Sequence, residues 1–241
     1  MTIKHKIVIA MDGMPLARAT SIAQATHDCV WGFKEHVLGD ADPEGHCKVI
    51  GNLKAWGCVL ADRKIYEVPR EARNLARAFA RHGAWIVTAH ACGGIDMLRA
   101  AAEGFAEARP ELDFAKLGIG GIAAVIFLSS LSKDQIRGMY GDLERKADQF
   151  AQYARDGGAW GIIASPLVIR LLAGKYPELK RIAVGVRPEG SSELDQVRFD
   201  TIQNFATLGA DYYIIGSMIT TASDPGYAAR VLARTIEGAT R

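Results

Sequence analysis

The sequence predicts a (β/α)8 TIM barrel, an α/β fold, and three observations carry the prediction. Eight short, almost wholly apolar runs recur along the chain. Helix-patterned segments stand between them. The chain has 241 residues, close to the roughly 250 that such a barrel takes. Strands that read as continuous apolar runs are buried on both faces, as in a parallel sheet covered by helices. Regular alternation without a linker argues for one domain over residues 1–241. The competing architecture is an open doubly wound sheet. It is disfavoured because "AMDGMPLA" (10–17), after the first run, has one glycine where a dinucleotide-binding turn needs several.

The elements follow in order. "KIVIAMD" (6–12) reads as the first strand and "CVWGFK" (29–34) as a weaker second. "GDADPEGH" (39–46) is a polar, turn-rich loop expected at the surface. "GCVLAD" (57–62) is the third strand. "REARNLARAFARHG" (70–83) carries alanine and leucine on one helical face and arginine on the other, with Gly83 as the stop. "AWIVTAH" (84–90) and "IAAVIFLSS" (122–130) are strands four and five. "SKDQIRGMYGDLERKADQFAQYARDGG" (132–158) reads as one helix, opened by a Ser–Lys–Asp cap and closed by Gly-Gly. "AWGIIAS" (159–165), "RIAVGV" (181–186) and "DYYIIG" (211–216) complete the set, with Ser165 and Pro166 opening the sixth helix.

Composition narrows the function classes. Apolar residues make up 49% and charged residues 23%, ordinary for a soluble globular chain. A net charge of +2 gives no electrostatic case for nucleic acid or an anionic membrane as partner. Any bound anion must be caught by a local site. Cys29, Cys47, Cys58 and Cys92 have no C-x-x-C spacing and read as reduced thiols. The apolar run in "MTIKHKIVIAMDG" is too short for a signal peptide or a membrane span, so a cytoplasmic location is expected. His27, His36 and His46 lack metal-ligand spacing, so no metal is expected.

Barrel enzymes place their chemistry at the C-terminal ends of the strands. Those ends carry Asp12, Lys34, Asp62 with Lys64, His90, the serines 129, 130 and 132, Arg187, and Gly216 with Ser217. Asp62 and Lys64 are two apart and project to one side, with Arg63 turned away. Lys34 and Asp12 extend an array of alternating sign, in which each charge is held by its neighbours. Such a site can set a carboxylate against substrate negative charge while a lysine ammonium supplies a proton.

The stretch "VLADRKIYEVP" (59–69) resembles the D-x-K-x-x-D-[IV]-P signature of the orotidine 5'-phosphate decarboxylase family. Other segments are similar in the same order: "IVIAMDG", "WGFK", "VTAHACGGIDMLRAA", "VIFLSSLS", "VGVRPEGSSELDQVR" and "GADYYIIGSMITTASDP". The resemblance runs from about Lys6 to the last helix. It implies conversion of orotidine 5'-monophosphate to uridine 5'-monophosphate (UMP) and CO2, in pyrimidine biosynthesis, without metal or organic cofactor. By the same resemblance Asp62 lies against the departing carboxylate and Lys64 protonates C6. Lys34 and Asp12 hold the charge network and the ribose hydroxyls, and Ser132 reads the pyrimidine edge. Arg187 and Gln196 hold the phosphate, helped by backbone N–H groups near Gly216 and Ser217. The Glu67 position corresponds to an acid donated across a two-fold interface, which implies a homodimer with shared active sites.

The chain departs from the family pattern at two site positions. Glu67 stands where the family has aspartate, one methylene longer, and misplacement near 1 Å can cost about a hundredfold in rate. Ser217 stands where the family has an arginine, and a hydroxyl cannot replace a guanidinium fork on phosphate. Two alternatives follow. One is a diverged relative that binds a nucleotide or metabolite without efficient turnover. The other is a Mg-dependent sugar-phosphate decarboxylase or aldolase of the same superfamily, whose metal is held by a strand-two glutamate. Glu35 could serve there only from one position out of register.

Overall fold

A computed structural model describes residues 6–36, 38, 45–108, 120–185 and 202–239. Strands β1 (Ile7–Ala10), β2 (Gly32–Glu35), β3 (Cys58–Ile65) and β4 (Ile86–His90) are followed by β5 (Gly121–Val125), β6 (Gly161–Ala164), β7 (Lys180–Val184) and β8 (Tyr212–Ile215). All neighbours pair in parallel, and β1 closes on β8 through Ile7↔Tyr213, Val8↔Ile214 and Ile9↔Ile215. The barrel expectation therefore holds, with strand ends moved by a few residues. The second strand runs through Glu35 and the third continues past Asp62 to Ile65. The fifth stops at Val125, well before Ser130.

The described helices are α1 (Leu16–Thr26), α2 (Gly45–Leu53), α3 (Pro69–His82) and α4 (Gly94–Glu107), then α5 (Lys133–Tyr140), α6 (Leu143–Asp156) and α7 (Pro166–Leu171). The last are α8 (Ile202–Ala206), α9 (Ser217–Thr220) and α10 (Pro225–Ala239). Helix α3 buries Ala72, Ala76 and Ala80, a stripe of four-residue spacing whose small side chains let the helix lie close to the sheet. Gly83 ends it at φ 111°, and the N–H groups of Gly83 and Ala84 return to the carbonyls of Ala80 and Phe79. The long helix expected over 132–158 is two helices. Gly141 leaves helical geometry at φ 85°, and the Asp142 side chain accepts the Arg145 N–H to start α6 afresh. Ser165 does precede Pro166 at the start of α7, but its hydroxyl makes no cap bond. Of the loop expected over 39–46, residues 39–44 lie outside the described set, while Gly45 and His46 already belong to α2.

Two apolar layers hold the barrel. The outer one lies between strands and helices and includes Ile9, Phe33, Ala61, Val87 and Ala124. The inner one fills the barrel with Val8, Leu60, Ile86, Ile163, Ile182 and Ile214. An aromatic floor lies at the N-terminal ends of the even strands, where Trp31, Trp85, Trp160 and Tyr212 pack against the inner layer. Trp31 and Trp160 meet Tyr212 with ring centroids 5.1 Å and 5.7 Å away. This closes the bottom and leaves the top as the place where polar strand ends converge.

Gly32 is the tightest point of the ring. A Cβ there would fall 1.9 Å from the carbonyl oxygen of its register partner Cys58. That obstacle is backbone inside a closed sheet and cannot swing aside. Gly32→Ala is therefore expected to destabilise the fold by about 3 kcal/mol or more, seen as a lower urea midpoint. An unchanged midpoint would show that β2 and β3 part more easily than this geometry allows.

Candidate active site

The charge array is assembled by three strand ends, those of β1, β2 and β3. Lys34 Nζ lies 2.6 Å from Asp12 Oδ2 and 3.2 Å from Asp62 Oδ2. Lys64 Nζ lies 2.7 Å from the same Asp62 oxygen. The order Asp12–Lys34–Asp62–Lys64 is thus continuous, acid and base alternating. Asp62 and Lys34 are its buried centre, with side chains 10% and 8% exposed, and Lys64 is more open at 30%.

Local backbone geometry explains how Asp62 and Lys64 meet. Pairing of β3 with β4 runs Leu60↔Ile86 and Ala61↔Val87, then shifts register before Ile65↔Ala89. Residues 62–64 form the irregularity, and Lys64 sits at φ 47°, in the left-handed region. For a lysine this costs about 1–2 kcal/mol, and strain of that kind gathers where geometry is fixed for function. Thr88 of β4 holds the irregular segment from inside the barrel. Its hydroxyl accepts the Lys64 N–H at 2.7 Å and donates to Asp62 Oδ1 at 3.0 Å.

Electrostatics keep the centre ionised. Burial alone would raise the Asp62 carboxyl, but the Lys34 and Lys64 ammonium groups and the Thr88 hydrogen bond bring it down to about 2. Burial works against the Lys34 ammonium too, yet Asp62 and Asp12 together hold it above the ordinary lysine range. His90, at the end of β4, is pushed down by burial and by the neighbouring Lys64 charge, so a neutral ring is favoured.

These groups open on a cavity of ≈ 550 Å³, a size suited to a small ligand. One wall is charged: Asp12, Lys34, Asp62 and Lys64. The facing wall is apolar, with Val125, Phe127, Ile163 and Ile214 among its members. Gly185, Gly216, Ser217, Thr220 and Thr221 add backbone and hydroxyl groups. The cavity can therefore take a ligand with a flat apolar face and a reacting end set against fixed charges.

The structure sorts the site residues expected from sequence. Asp12, Lys34, Asp62, Lys64, Gly216 and Ser217 share the cavity. Ser132 does not line it. Its Oγ accepts the Gln135 N–H at 3.1 Å in a capping box that starts α5, and Ser129 takes the place at the cavity wall. Glu67 does not line it either. It is exposed beyond the end of β3, between Tyr66 and Val68. Arg187 and Gln196 lie outside the described residues. Arg63 is turned away, as its place between Asp62 and Lys64 requires, and meets His46 of α2. Glu35 faces outward too, with Oε2 2.9 Å from His46 Nδ1, and so is not placed to hold a metal in the mouth. Among the described residues no three His, Cys, Asp or Glu side chains gather as a metal site.

Thr88 is the addition, while Ser129, read from sequence as a strand-end residue without a role, takes the place expected of Ser132. Thr88 had a signal: it is the one hydroxyl in "IVTAH", at the same parity as Ile86, and so faces inward. Ser129 had a weaker one, since the end of β5 could not be fixed to a residue within "VIFLSS".

Known proteins agree with this architecture. A family profile described as "Orotidine 5'-phosphate decarboxylase / HUMPS family" matches residues 5–232. The chain is 34% identical to an orotidine 5'-phosphate decarboxylase of Moorella thermoacetica, over 98% of this chain and 94% of that one. It is 35% identical to one of Paramagnetospirillum magneticum, over 93% and 95%. Among solved structures, orotidine 5'-phosphate decarboxylase from Lactobacillus acidophilus superposes with a TM-score of 0.75 at 24% identity, covering 97% of this chain and 99% of that one. With a profile match over nearly its whole length and relatives above 30% identity, the chain belongs to the orotidine 5'-phosphate decarboxylase / HUMPS family.

Proposed function

We propose that this protein decarboxylates orotidine 5'-monophosphate to UMP and CO2, in pyrimidine biosynthesis. The observation that carries the proposal is the Asp62–Lys64 pair at 2.7 Å, locked to Lys34 and Asp12 at the mouth of the cavity. The pyrimidine lies on the apolar wall with its C6 carboxylate toward Asp62. The bond from C6 to the carboxylate breaks, its electron pair stays on C6, and neutral CO2 leaves. Repulsion between the substrate carboxylate and Asp62 disappears in that step, so the charged site favours the transition state over the ground state. Lys64 then donates its proton to C6 as general acid and is reprotonated from solvent. Lys34 transfers no proton in this scheme; its ammonium charge holds Asp62 and Asp12 in place. No step draws on a metal or an organic cofactor.

The nucleotide's phosphate belongs at the hydroxyl and backbone end of the cavity, near Gly216 and Ser217, where Arg187 and Gln196 would complete its partners. Ser217 supplies a neutral donor, so the grip on phosphate rests on other residues. Glu67 acts toward a second copy of the chain. An apolar surface surrounds it: Tyr66 and Met139 are 66% and 62% exposed, and Val68 and Leu128 are exposed as well. Tyr66 and Met139 also line a second cavity of ≈ 610 Å³ that adjoins the first through Phe127 and Leu128. Such a patch beside a site marks an interaction surface, and a homodimer with shared active sites fits it. No described helix is long and apolar enough to cross a membrane, and soluble nucleotides as substrate and product fit a cytoplasmic enzyme.

The test is direct. Purified protein mixed with orotidine 5'-monophosphate should change the pyrimidine absorbance with turnover, in the presence of EDTA as in its absence. UMP binding without turnover would instead make the chain a nucleotide-binding relative. EDTA-sensitive turnover of a sugar phosphate would move it to the Mg-dependent branch. Sedimentation should give a dimer, and Tyr66→Glu should shift it toward monomer and lower turnover with it.

A further inference from the structure

The outer faces of β2 and β3 carry charge where the barrel is otherwise apolar. Lys34, Asp62 and Lys64 face the mouth, so their sequence neighbours Glu35 and Arg63 face the helices. Glu35 is 0% exposed. Its Oε2 lies 2.9 Å from His46 Nδ1, and His46 Nε2 lies 2.7 Å from Arg63 Nη1. Arg63 can only donate, so His46 accepts at Nε2 and carries its proton on Nδ1, which it donates to Glu35. Arg63 also reaches the His36 carbonyl at 3.4 Å, and its guanidinium lies over the Phe79 ring at 5.3 Å from the centroid. His46 meets the same ring edge-on at 5.6 Å. One line of contacts therefore runs from the end of β2, through α2, to the end of β3, seated on α3.

Its place in the fold gives it a use. Register between β3 and β4 is interrupted at residues 62–64, where Lys64 has a strained backbone. Thr88 holds that segment from inside, through the Lys64 N–H and Asp62 Oδ1. The Glu35–His46–Arg63 line holds it from outside. A buried carboxylate in this layer is a poor source of stability, because its desolvation offsets its pairing, and Glu35 Oε1 has no partner among the described residues. Fixing geometry is the better-attested use of buried polar groups, and active-site charges need placement to roughly 0.5 Å.

We infer that Glu35, His46 and Arg63 are positioning residues, a relay behind the active site that sets Asp62 and Lys64 against Lys34. The inference rests on the reading that those charges carry the decarboxylation. His46→Phe keeps the ring contact with Phe79 and removes both hydrogen bonds. In the full chain it should lower kcat about tenfold while KM and UMP affinity stay within about twofold, the split expected when only transition-state geometry is lost. Glu35→Gln keeps an acceptor for His46 and should retain most of the parent kcat.

A second readout needs no turnover. In protein carrying 13C-labelled lysine, the Lys34 and Lys64 side-chain resonances should shift in His46→Phe and stay near their parent positions in Glu35→Gln. A folded His46→Phe with parent kcat and parent lysine resonances overturns the relay and leaves the decarboxylase reading standing. Glu35→Gln as impaired as His46→Phe overturns it as well. If the parent protein does not turn over, the decarboxylase reading fails, and the lysine resonances alone decide the relay. Should His46→Phe not fold, Arg63→Lys keeps the charge but loses the planar fork and takes the same two readouts.

Discussion

Lys64→Ala is expected to lower turnover of orotidine 5'-monophosphate by about a hundredfold to ten-thousandfold, the usual worth of a general acid. UMP binding should change far less, because Lys64 sits at the reacting end, across the cavity's charged wall from the apolar surface that takes the base. The substitution also probes the backbone. Lys64 sits at φ 47°, and alanine keeps the Cβ that makes this conformation unfavourable. Lys64→Gly removes it and should be more stable than Lys64→Ala by about 1 kcal/mol, with equal loss of activity. Urea denaturation of the two variants, read beside their kcat, separates the proton from the strain. Equal stability would mean that the left-handed geometry is not held in solution. A Lys64→Ala enzyme with near-parental kcat would remove Lys64 from the role of proton donor.

Much of the barrel was legible because each strand is buried on both faces and leaves an unbroken apolar run. Strand ends were less legible, since apolar residues continue past the ladder. In "IAAVIFLSS" the last paired residue is Val125, and Ile126 and Phe127 stay buried outside the strand. The break between α5 and α6 was hidden by helical periodicity on both sides of Gly141–Asp142. In the site, alternation of side chains placed Asp62, Lys64 and Arg63 correctly, because a two-residue period is a property of any strand. It could not show the register shift at residues 62–64, where the Lys64 ammonium meets the Asp62 oxygen that Lys34 also reaches, nor that Ser132 is taken up by a helix cap while Ser129 reaches the cavity. Glu35 and His46 are visible in the sequence, but their pairing is not. Glu35 and Arg63 lie on different strands, and only the folded barrel brings the two to the same histidine.

Asp62→Ala should affect stability and turnover together, because this carboxylate is the hub of the array. It accepts from Lys34 at 3.2 Å, Lys64 at 2.7 Å and Thr88 at 3.0 Å. Its removal leaves Lys34 buried with Asp12 alone and leaves the Thr88 hydroxyl without its acceptor. Breaking a buried pair in this way costs about 3–5 kcal/mol, and turnover should fall at least about a hundredfold as the fixed charge opposite the substrate is lost. The pH dependence supplies the check on cause. The folded-state pKa of Asp62 is depressed from 3.8 to about 2, so the ionised form is favoured by folding. Its contribution, about 2 kcal/mol at neutral pH, is fully present above the unfolded value. It is lost as pH falls from about 4 toward about 2. The stability gap between the parent protein and Asp62→Asn, which keeps the side chain's shape, should therefore narrow across that window. It should be flat from about pH 5 upward, where Asp62 is ionised in both states. A gap that stays constant down to about pH 2 would assign the effect of Asp62 to packing and hydrogen bonding, and the alternating charges would no longer account for how the mouth of this barrel is held.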